Sequence, residues 1–269
     1  MKNPMQFASV NDVTLHYQVV AAPEDKPTIV FSNSLGTDFR IWRDVIVRLI
    51  GECSIVLYDK RGHGLSDVGD SPYKLDDHVA DLAGLLDHLG INDAVICGLS
   101  VGGLIAQGLY HERPDLVKAL ILCDTAAKIG DDEMWSERIE NIGRDGISPY
   151  VDGIMEKWFT PAFHSDRADD LAGYKNMLRR VTPEGYLGTC SALRDADLRS
   201  AALEIKAPTI CIVGDQDGST PPDLVLSTAK LIPECRYEVI KSCAHIPCVE
   251  QPEVLVEIMK AFLADANIG

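Results

Sequence analysis

Ser100 lies in the pentad Gly98–Gly102, where a glycine stands two positions before and two positions after the serine. An apolar run ends at Cys97 and a helical hydrophobic period follows, so a strand, a sharp turn and a helix are predicted around the serine. So sharp a turn strains the serine backbone, and glycines avoid side-chain collisions at the flanking positions. This context favours a nucleophilic serine over the alternative, a tight structural turn with a bystander hydroxyl.

A serine hydroxyl is a weak nucleophile at neutral pH, so it needs a base within hydrogen-bond reach and a third group that holds the base. Asp217 lies in the turn after an apolar run that ends at Val213, and His245 follows the run that ends at Ile240. Both side chains should project from carboxyl ends of strands. The sequence thus predicts Ser100 as nucleophile, His245 as acid/base and Asp217 as the acid that orients the histidine.

Three other residues are alternatives for these roles. Asp124 ends another predicted strand and Asp215 is close to Asp217 in the chain, so either carboxylate could be the orienting acid. His63 is the main rival histidine. It lies in the glycine-rich segment Asp59–Ser66, which we expect to stabilise the scaffold rather than to take the catalytic proton.

Negative charge that develops on a carbonyl oxygen needs N–H donors, normally the amide after the nucleophile and one amide from the loop after an early strand. Val101 and Leu35 occupy these two positions. Leu35 lies in the loop Ser32–Gly36, whose glycine permits an unusual backbone conformation. These two residues are therefore the predicted oxyanion hole, with an ordinary polar turn as the alternative interpretation of the loop.

Strands that alternate with helices must position these residues. Residues 7–19 alternate around Asn11-Asp12, which predicts an opening β-hairpin. Continuous apolar runs typical of buried, mostly parallel strands occupy residues 28–31, 55–58, 94–97, 119–123, 209–213 and 237–240. Helical periods lie between the runs, and Gly90 is expected to end one of these helices. The fold class is therefore α/β, a doubly wound, mostly parallel eight-stranded sheet covered on both faces.

Strand signals vanish between about residue 126 and residue 198, where tryptophans and tyrosines lie among short amphipathic stretches. We expect residues 126–198 to form a helical cap inserted in a core of residues 1–125 and 199–269. The alternative is that these helices only extend the core. In the predicted cap Arg138 follows Trp135 by about one helical turn, so both side chains can line one face over Ser100.

Composition excludes several classes of function. The formal net charge of −16 argues against nucleic-acid binding, which depends on lysine and arginine contacts to phosphate. Cysteines inside apolar runs, such as Cys97 and Cys123, indicate reduced thiols packed as small hydrophobes. The spacing Cys243-x-His245-x-x-Cys248 lacks a companion metal-binding motif, so no metal is expected.

The N-terminal residues Met1–Pro4 lead into polar, strand-like sequence rather than into a signal peptide. No apolar run reaches the length of about 18 residues that a membrane span requires. We therefore expect a cytoplasmic protein without a membrane partner.

Taken together, these residues resemble the α/β-hydrolase superfamily, and within it the 3-oxoadipate enol-lactonases of aromatic-compound degradation. The superfamily motifs are Gly98–Gly103, Asp59–Ser66 and the region of His245. The more specific motifs are Ser32–Asp38, Trp135 with Arg138, Trp158–Pro161 and Thr220–Pro222. Many relatives carry His-Gly where this chain has Asn33-Ser34, a departure that the enol-lactonases share.

The resemblance implies the α/β-hydrolase fold, no cofactor, and hydrolysis of 3-oxoadipate enol-lactone, a small anionic lactone, to 3-oxoadipate. It also implies substrate contacts by Trp135, Trp158 and Arg138. An arginine pairs well with a substrate carboxylate, although Arg138 could instead be solvated and paired with Glu137 or Glu140. The alternative functions are a carboxylesterase, a carbon–carbon bond hydrolase of a ring-cleavage product, and a hydrolase-fold sensor with little turnover.

Overall fold

The predicted hairpin begins the sheet. In the computed structural model, which describes residues 6–268, β1 (Gln6–Val10) and β2 (Val13–Val20) pair in antiparallel fashion. The two turn residues, Asn11 and Asp12, have φ values of 46° and 62°. Positive φ at both central residues is what a two-residue hairpin turn demands, and asparagine and aspartate tolerate it well.

All eight predicted strands are present and form one sheet. The others are β3 (Thr28–Ser32), β4 (Ser54–Tyr58), β5 (Ala94–Leu99), β6 (Val117–Cys123), β7 (Thr209–Gly214) and β8 (Arg236–Ile240). Their order is β1-β2-β4-β3-β5-β6-β7-β8. β2 pairs antiparallel with β4, and every later pair is parallel. The predicted eight-stranded, mostly parallel sheet is confirmed.

Helices connect the strands. Those outside the predicted cap are α1 (Arg43–Leu49), α2 (Leu75–Leu89), α3 (Val101–Glu112), α9 (Arg199–Ala202), α10 (Pro222–Leu231), α11 (Pro247–Glu250) and α12 (Pro252–Asp265). Short 3₁₀ turns occupy Phe39–Trp42, Pro114–Leu116 and Ser148–Tyr150. Gly90 caps α2 in a left-handed conformation, and its N–H donates to the carbonyls of Leu86 and Asp87, as the sequence predicts.

Between β6 and β7 the described chain contains no strand. The helices within residues 126–198 are α4 (Asp132–Asp145), α5 (Val151–Trp158), α6 (Pro161–Asp166), α7 (Ala168–Arg179) and α8 (Pro183–Asp195). Helix α8 approaches the core so closely that a Cβ added at Gly185 would lie 2.1 Å from the carbonyl oxygen of Gly62. The division into a core and a cap at residues 126 and 198 stays a prediction.

Four neighbouring parallel strands, β5 to β8, end at the same edge of the sheet. Ser100 follows β5, Asp124 follows β6, Asp217 lies just beyond β7, and His245 lies just beyond β8. Because parallel strands bring their carboxyl ends together, residues far apart in the chain meet at this edge.

Two further expectations concern the whole chain. All eight cysteines are free thiols, as the apolar runs around several of them predict. Within residues 6–268, no helix combines the length and the apolar composition needed to cross a bilayer. Residues 1–5, on which the expectation of no signal peptide rests, lie outside the described part of the chain.

Candidate active site

Ser100 occupies a strained turn between β5 and α3. Its φ and ψ are 58° and −120°, a conformation that a residue with a side chain adopts only when its surroundings hold it there. The Ser100 N–H donates to the carbonyl of Cys123 at 3.0 Å, and the Thr125 hydroxyl donates to the Ser100 carbonyl at 2.6 Å. These hydrogen bonds to the end of β6 hold the serine at the tip of the turn.

The flanking glycines are required by close backbone approaches. A Cβ added at Gly98 would lie 2.3 Å from the carbonyl oxygen of Gly102, and one added at Gly102 would lie 2.1 Å from that of Ser32. Backbone atoms cannot move aside as a flexible side chain can. The pentad thus carries glycine at both positions for the steric reason that the sequence suggests.

His245 and Asp217 form a buried hydrogen-bonded pair. The distance from His245 Nδ1 to Asp217 Oδ2 is 2.9 Å. Asp217 also accepts from the Ser219 N–H at 2.7 Å, the Thr220 N–H at 3.0 Å and the Thr220 hydroxyl at 2.6 Å. Burial acts to raise the pKa of Asp217, but the charge of His245 and the donated hydrogen bonds outweigh it and keep the pKa below its usual value. Asp217 is therefore an anion suited to orienting an imidazole.

Ser100 and His245 line one cavity with about 650 Å³ of free space, part of it open to solvent. With Nδ1 bonded to Asp217, the remaining nitrogen Nε2 is the one available for proton transfer. Among residues 6–268, the Ser100 hydroxyl has no hydrogen bond to this ring. Contacts of this kind commonly tighten only when substrate is bound. The backbone N–H of His245 donates to the carbonyl of Trp158 at 3.1 Å, which joins the loop that carries His245 to α5.

The loop that carries Leu35 lies beside the same cavity. Leu35 lines the cavity, and Val101 is the first residue of α3, where helix geometry leaves the N–H without an intrahelical partner. Gly36 has a φ of 78°, and its N–H donates to Nε2 of His63 at 3.0 Å. The contact with His63 therefore holds this loop in place, and Leu35, whose N–H is one of the two predicted oxyanion donors, lies at its centre.

His63, the rival histidine, lies beneath this loop. Burial is the main reason, and nearby Lys60 a second one, that the pKa of His63 lies well below its ordinary 6.5. The ring therefore stays neutral, so Nε2 accepts from Gly36 while Nδ1 bonds to the carbonyl of Arg61 at 3.1 Å. These contacts support the expectation that His63 stabilises the scaffold.

The sequence does not reveal Lys60 as part of the site, because Lys60 stands in a run of charged residues that would ordinarily be solvated. It is 1% exposed, and its ammonium donates to the carbonyls of Ser34 at 2.6 Å and Thr37 at 3.4 Å. Burial lowers the pKa of Lys60 to about 7. Lys60 therefore holds the Leu35 loop from below through two backbone carbonyls.

The predicted substrate-binding residues all line the cavity. Trp135 donates from its indole nitrogen to the carbonyl of Ile129 at 2.6 Å, which fixes the ring. Trp158 lies nearby at the end of α5. The Arg138 guanidinium lies over the rings of Trp135 and Tyr186 and donates to the Tyr186 hydroxyl.

Arg138 has no carboxylate partner within the described chain. The alternative pairing with Glu137 or Glu140 does not occur, and Nε of Arg138 is buried and has no hydrogen-bond partner among residues 6–268. A guanidinium presents several donors in a rigid fork that matches a carboxylate. The sequence does not indicate that Tyr186 accepts a hydrogen bond from the Arg138 guanidinium, because only the fold brings α8 beside α4.

The two alternative acids differ in position. Asp215 is partly exposed; it accepts the Cys243 N–H at 3.3 Å and lies 3.9 Å from the Lys241 ammonium, so it makes no contact with His245. Asp124 is fully buried, and its carboxylate lies with Asp217 and His245 in a group whose donor atoms are all within 4.8 Å of one another. Three such donors could hold a metal ion. Asp217 and His245 are nevertheless hydrogen-bonded to each other, so the arrangement fits a hydrogen-bond network better than a metal site.

Thr220 completes this network, although its role does not follow from the sequence alone. Its hydroxyl contacts both Asp217 Oδ2 at 2.6 Å and His245 Nδ1 at 3.5 Å. Its place in the motif Thr220–Pro222 was the only available signal.

Comparison with known proteins decides the family. The alpha/beta hydrolase fold profile matches residues 27–252, which is most of the chain. This chain belongs to the α/β-hydrolase family. The strand order and the strained serine turn described above are those of an α/β-hydrolase, and the predicted serine, acid and histidine follow one another in the family's chain order.

Relatives of this α/β-hydrolase include two enol-lactonases of Acinetobacter baylyi. 3-Oxoadipate enol-lactonase 2 is 34% identical over 259 residues, 96% of each chain. 3-Oxoadipate enol-lactonase 1 is 33% identical over 254 residues, 93% of each chain. The solved enol-lactonase from Burkholderia xenovorans LB400 superposes with a TM-score of 0.93 at 33% identity, over 96% of this chain and 100% of that one. The α/β-hydrolase is therefore a hydrolase of small molecules that is similar to enol-lactonases along nearly its whole length.

Proposed function

We propose that this hydrolase opens the lactone ring of 3-oxoadipate enol-lactone to give 3-oxoadipate, a step in the degradation of aromatic compounds. The similarity to two enol-lactonases over more than nine-tenths of the chain supports this substrate. The free thiols of all eight cysteines favour a reducing compartment, the cytoplasm. Residues 126–198 act as the cap over the site.

The observation that carries the proposal is the position of Arg138. It is a cation without a carboxylate partner within residues 6–268, and it lines the cavity that holds Ser100 and His245. The protein as a whole carries a net charge of −16, so its overall field repels anions. A local arginine resolves this conflict for a substrate whose side arm is a carboxylate. Trp135 and Trp158, which line the same cavity, supply apolar surface for the ring.

The proposed acylation step uses Ser100, His245 and Asp217 together. Oγ of Ser100 attacks the lactone carbonyl while Nε2 of His245 takes its proton, and Asp217 stabilises the imidazolium that forms. The N–H groups of Leu35 and Val101 hold the oxyanion of the tetrahedral intermediate. Collapse of the intermediate breaks the bond between the carbonyl carbon and the ring oxygen, which opens the ring.

Deacylation uses the same groups. The leaving oxygen is an enolate still tethered to the acyl chain, so His245 returns its proton and the enol tautomerises to the ketone. Water then transfers a proton to His245 and attacks the acyl carbon. Collapse of this second tetrahedral intermediate breaks the bond between the acyl carbon and Oγ of Ser100, His245 returns the proton to Oγ, and 3-oxoadipate is released. No step requires a cofactor.

A direct assay tests the proposal. The enol-lactone should lose its ultraviolet absorbance with the purified enzyme and not with Ser100→Ala, and kcat/KM should exceed that for neutral aryl esters by about a hundredfold or more. Equal rates on both substrate classes would favour a general carboxylesterase. Turnover of a vinylogous ring-cleavage product instead of the lactone would favour a carbon–carbon bond hydrolase, and tight binding of the lactone without product would favour a sensor.

A further inference from the structure

Asp124 is a buried carboxyl group that the proposed mechanism does not use. It follows β6 directly, is 0% exposed, and has a φ of 45°, a left-handed conformation that is uncommon for a residue with a side chain. Oδ1 accepts the Gly214 N–H from the end of β7 at 2.9 Å. Oδ2 is buried and has no hydrogen-bond partner within residues 6–268. A buried carboxylate oxygen left unpaired is costly, so the group calls for an explanation.

The explanation lies in the neighbouring carboxylate. The donor atoms of Asp124, Asp217 and His245 all lie within 4.8 Å of one another. Two carboxylates so close in a water-poor site cannot both ionise without a large penalty. Asp217 accepts four hydrogen bonds and Asp124 accepts one, so the charge resides on Asp217 and the proton on Asp124.

The other ionisable groups around Asp124 do not change this assignment. Asp217 and His245 lie within 4.8 Å of it, and the other groups in the described part of the chain that interact with it electrostatically are thiols: Cys123, Cys243 and Cys248. Burial raises the pKa of Cys243 and of Cys248 far above the ordinary value, so both stay neutral. Burial first, and the charge of Asp217 second, also raise the pKa of Asp124 well above its usual range. No cation other than a protonated His245 is among these neighbours.

We propose that Asp124 is a second acid of the site, a positioning residue that shares one negative charge with Asp217 behind His245 and becomes the anion when Asp217 cannot. In the resting enzyme Asp124 is neutral and its O–H points toward Asp217. When Asp217 is replaced by a neutral residue, the proton leaves Asp124, and the new carboxylate stabilises the imidazolium from within 4.8 Å. The inference rests on the proposed roles of Ser100 and His245.

A double-mutant comparison tests this sharing. In Asp217→Asn, Asp124 should preserve part of the activity. The double variant D124N/D217N should therefore have a kcat/KM about tenfold lower than that of D217N. In the wild-type background Asp124→Asn should cost less than about threefold, because the amide can still donate to Asp217 and accept from Gly214. Equal effects of D124N in both backgrounds would overturn the proposal.

Asp215 provides the matched control. It lies on the same loop as Asp217 but makes no contact with His245. D215N/D217N should therefore equal D217N within about twofold, since it removes the same charge from a position that does not face the imidazole. If D215N/D217N loses as much as D124N/D217N, the effect reflects net charge alone and the proposal fails.

The pH profile separates this role from a structural one. Asp124 must ionise to act in D217N, and burial, the main cause of its raised pKa, persists in that variant, so the acidic limb of kcat/KM should move to higher pH in D217N than in wild type. D124N/D217N should lack the shifted limb. A purely structural Asp124 would lower the whole profile without moving its limbs, and that result would overturn the proposal.

An infrared measurement on resting enzyme needs no turnover. The C=O band of a protonated carboxylic acid should be present at neutral pH in wild type and missing in Asp124→Asn, whereas Asp215→Asn should retain it. Absence of this band from the wild type would overturn the proposal.

The kinetic experiments use a neutral aryl ester as substrate, with Ser100→Ala as the blank. Ester hydrolysis that survives Ser100→Ala would instead refute the proposed serine mechanism, and the infrared result would still decide the state of Asp124.

Discussion

The Gly36 N–H donates to Nε2 of His63 at 3.0 Å, which fastens the loop carrying Leu35 to the glycine-rich segment beneath it. Lys60 fastens the same loop through the carbonyls of Ser34 and Thr37. Both neighbours are buried, so these contacts are shielded from competing water. The predicted oxyanion donor is thus held before any negative charge develops, which is the condition for electrostatic stabilisation of a transition state.

Gly36→Ala should impair catalysis by disturbing this loop. The φ of 78° is unfavourable for alanine, and a Cβ there would lie 2.5 Å from Leu178 Cδ1 and 3.4 Å from Trp158. We expect kcat to fall about tenfold or more through displacement of the Leu35 amide, and stability to fall by about 1–2 kcal/mol. Steady-state kinetics and urea unfolding measure the two effects.

Gly51→Ala is the control for that change. Gly51 has a φ of 85°, but a Cβ there would meet nothing within 4 Å. This variant should lose a similar amount of stability and keep wild-type kcat. A comparable loss of kcat in both variants would show that backbone strain alone, and not the Leu35 loop, explains the result.

Arg138→Gln should weaken turnover of the anionic lactone selectively. The substitution removes the charge and the forked donors, so kcat/KM for the enol-lactone should fall about a hundredfold, while that for a neutral aryl ester should change less than about threefold. Arg144→Gln, on the exposed side of the same helix, removes an equal charge and should alter neither substrate. An equal loss on both substrates in Arg138→Gln would remove this residue from carboxylate recognition.

Lys60 should make stability depend on pH in the alkaline range. Its pKa is about 7 in the folded protein and 10.5 ordinarily, so between these values the unfolded chain binds a proton that the folded chain has released. Stability contributed by Lys60 therefore rises with pH through this window, by up to about 1.4 kcal/mol per pH unit, and is lost as pH falls toward 7. Urea unfolding from pH 6 to about 9 should show that the free energy of unfolding of wild type, relative to that of Lys60→Met, increases with pH. Parallel curves would contradict the prediction.

Asp81→Ala should destabilise the protein through a buried ion pair. Asp81 and Arg61 make two hydrogen bonds of 2.6 Å, with side chains only 1% and 7% exposed. Removal of the carboxylate leaves a buried guanidinium uncompensated, at a cost of about 3–5 kcal/mol in unfolding free energy. Asp115→Asn, which removes an exposed partner of Arg113, should leave the unfolding midpoint unchanged. Similar losses in both variants would argue against the buried pair.

Several features of the fold could be predicted because they depend on neighbours in the chain. Continuous apolar runs mark each parallel strand, since a strand covered on both faces must be apolar throughout. The hairpin at Asn11-Asp12 and the glycines around Ser100 report backbone conformations that few residues tolerate. These patterns can be recognised in the sequence without any knowledge of tertiary contacts.

The choice among acids illustrates what a linear pattern leaves open. Asp124, Asp215 and Asp217 all follow strands, and their spacing does not reveal which carboxylate reaches the imidazole. In the folded chain Asp217 bonds to His245, Asp124 lies beside the pair, and Asp215 contacts the backbone of Cys243 instead. Side-chain direction after a strand depends on the loop conformation, which neighbouring strands and helices decide.

By itself, the sequence determined the strands, the serine turn and the chain order of the proposed serine, acid and histidine, because each is a local or ordered pattern. Only the tertiary structure decided that Lys60 is buried under the Leu35 loop, that Arg138 lacks a carboxylate partner within the described chain, and that Asp124 lies against Asp217. The physical reason is that burial and charge pairing depend on which distant segments pack together, and residue type alone does not carry that information.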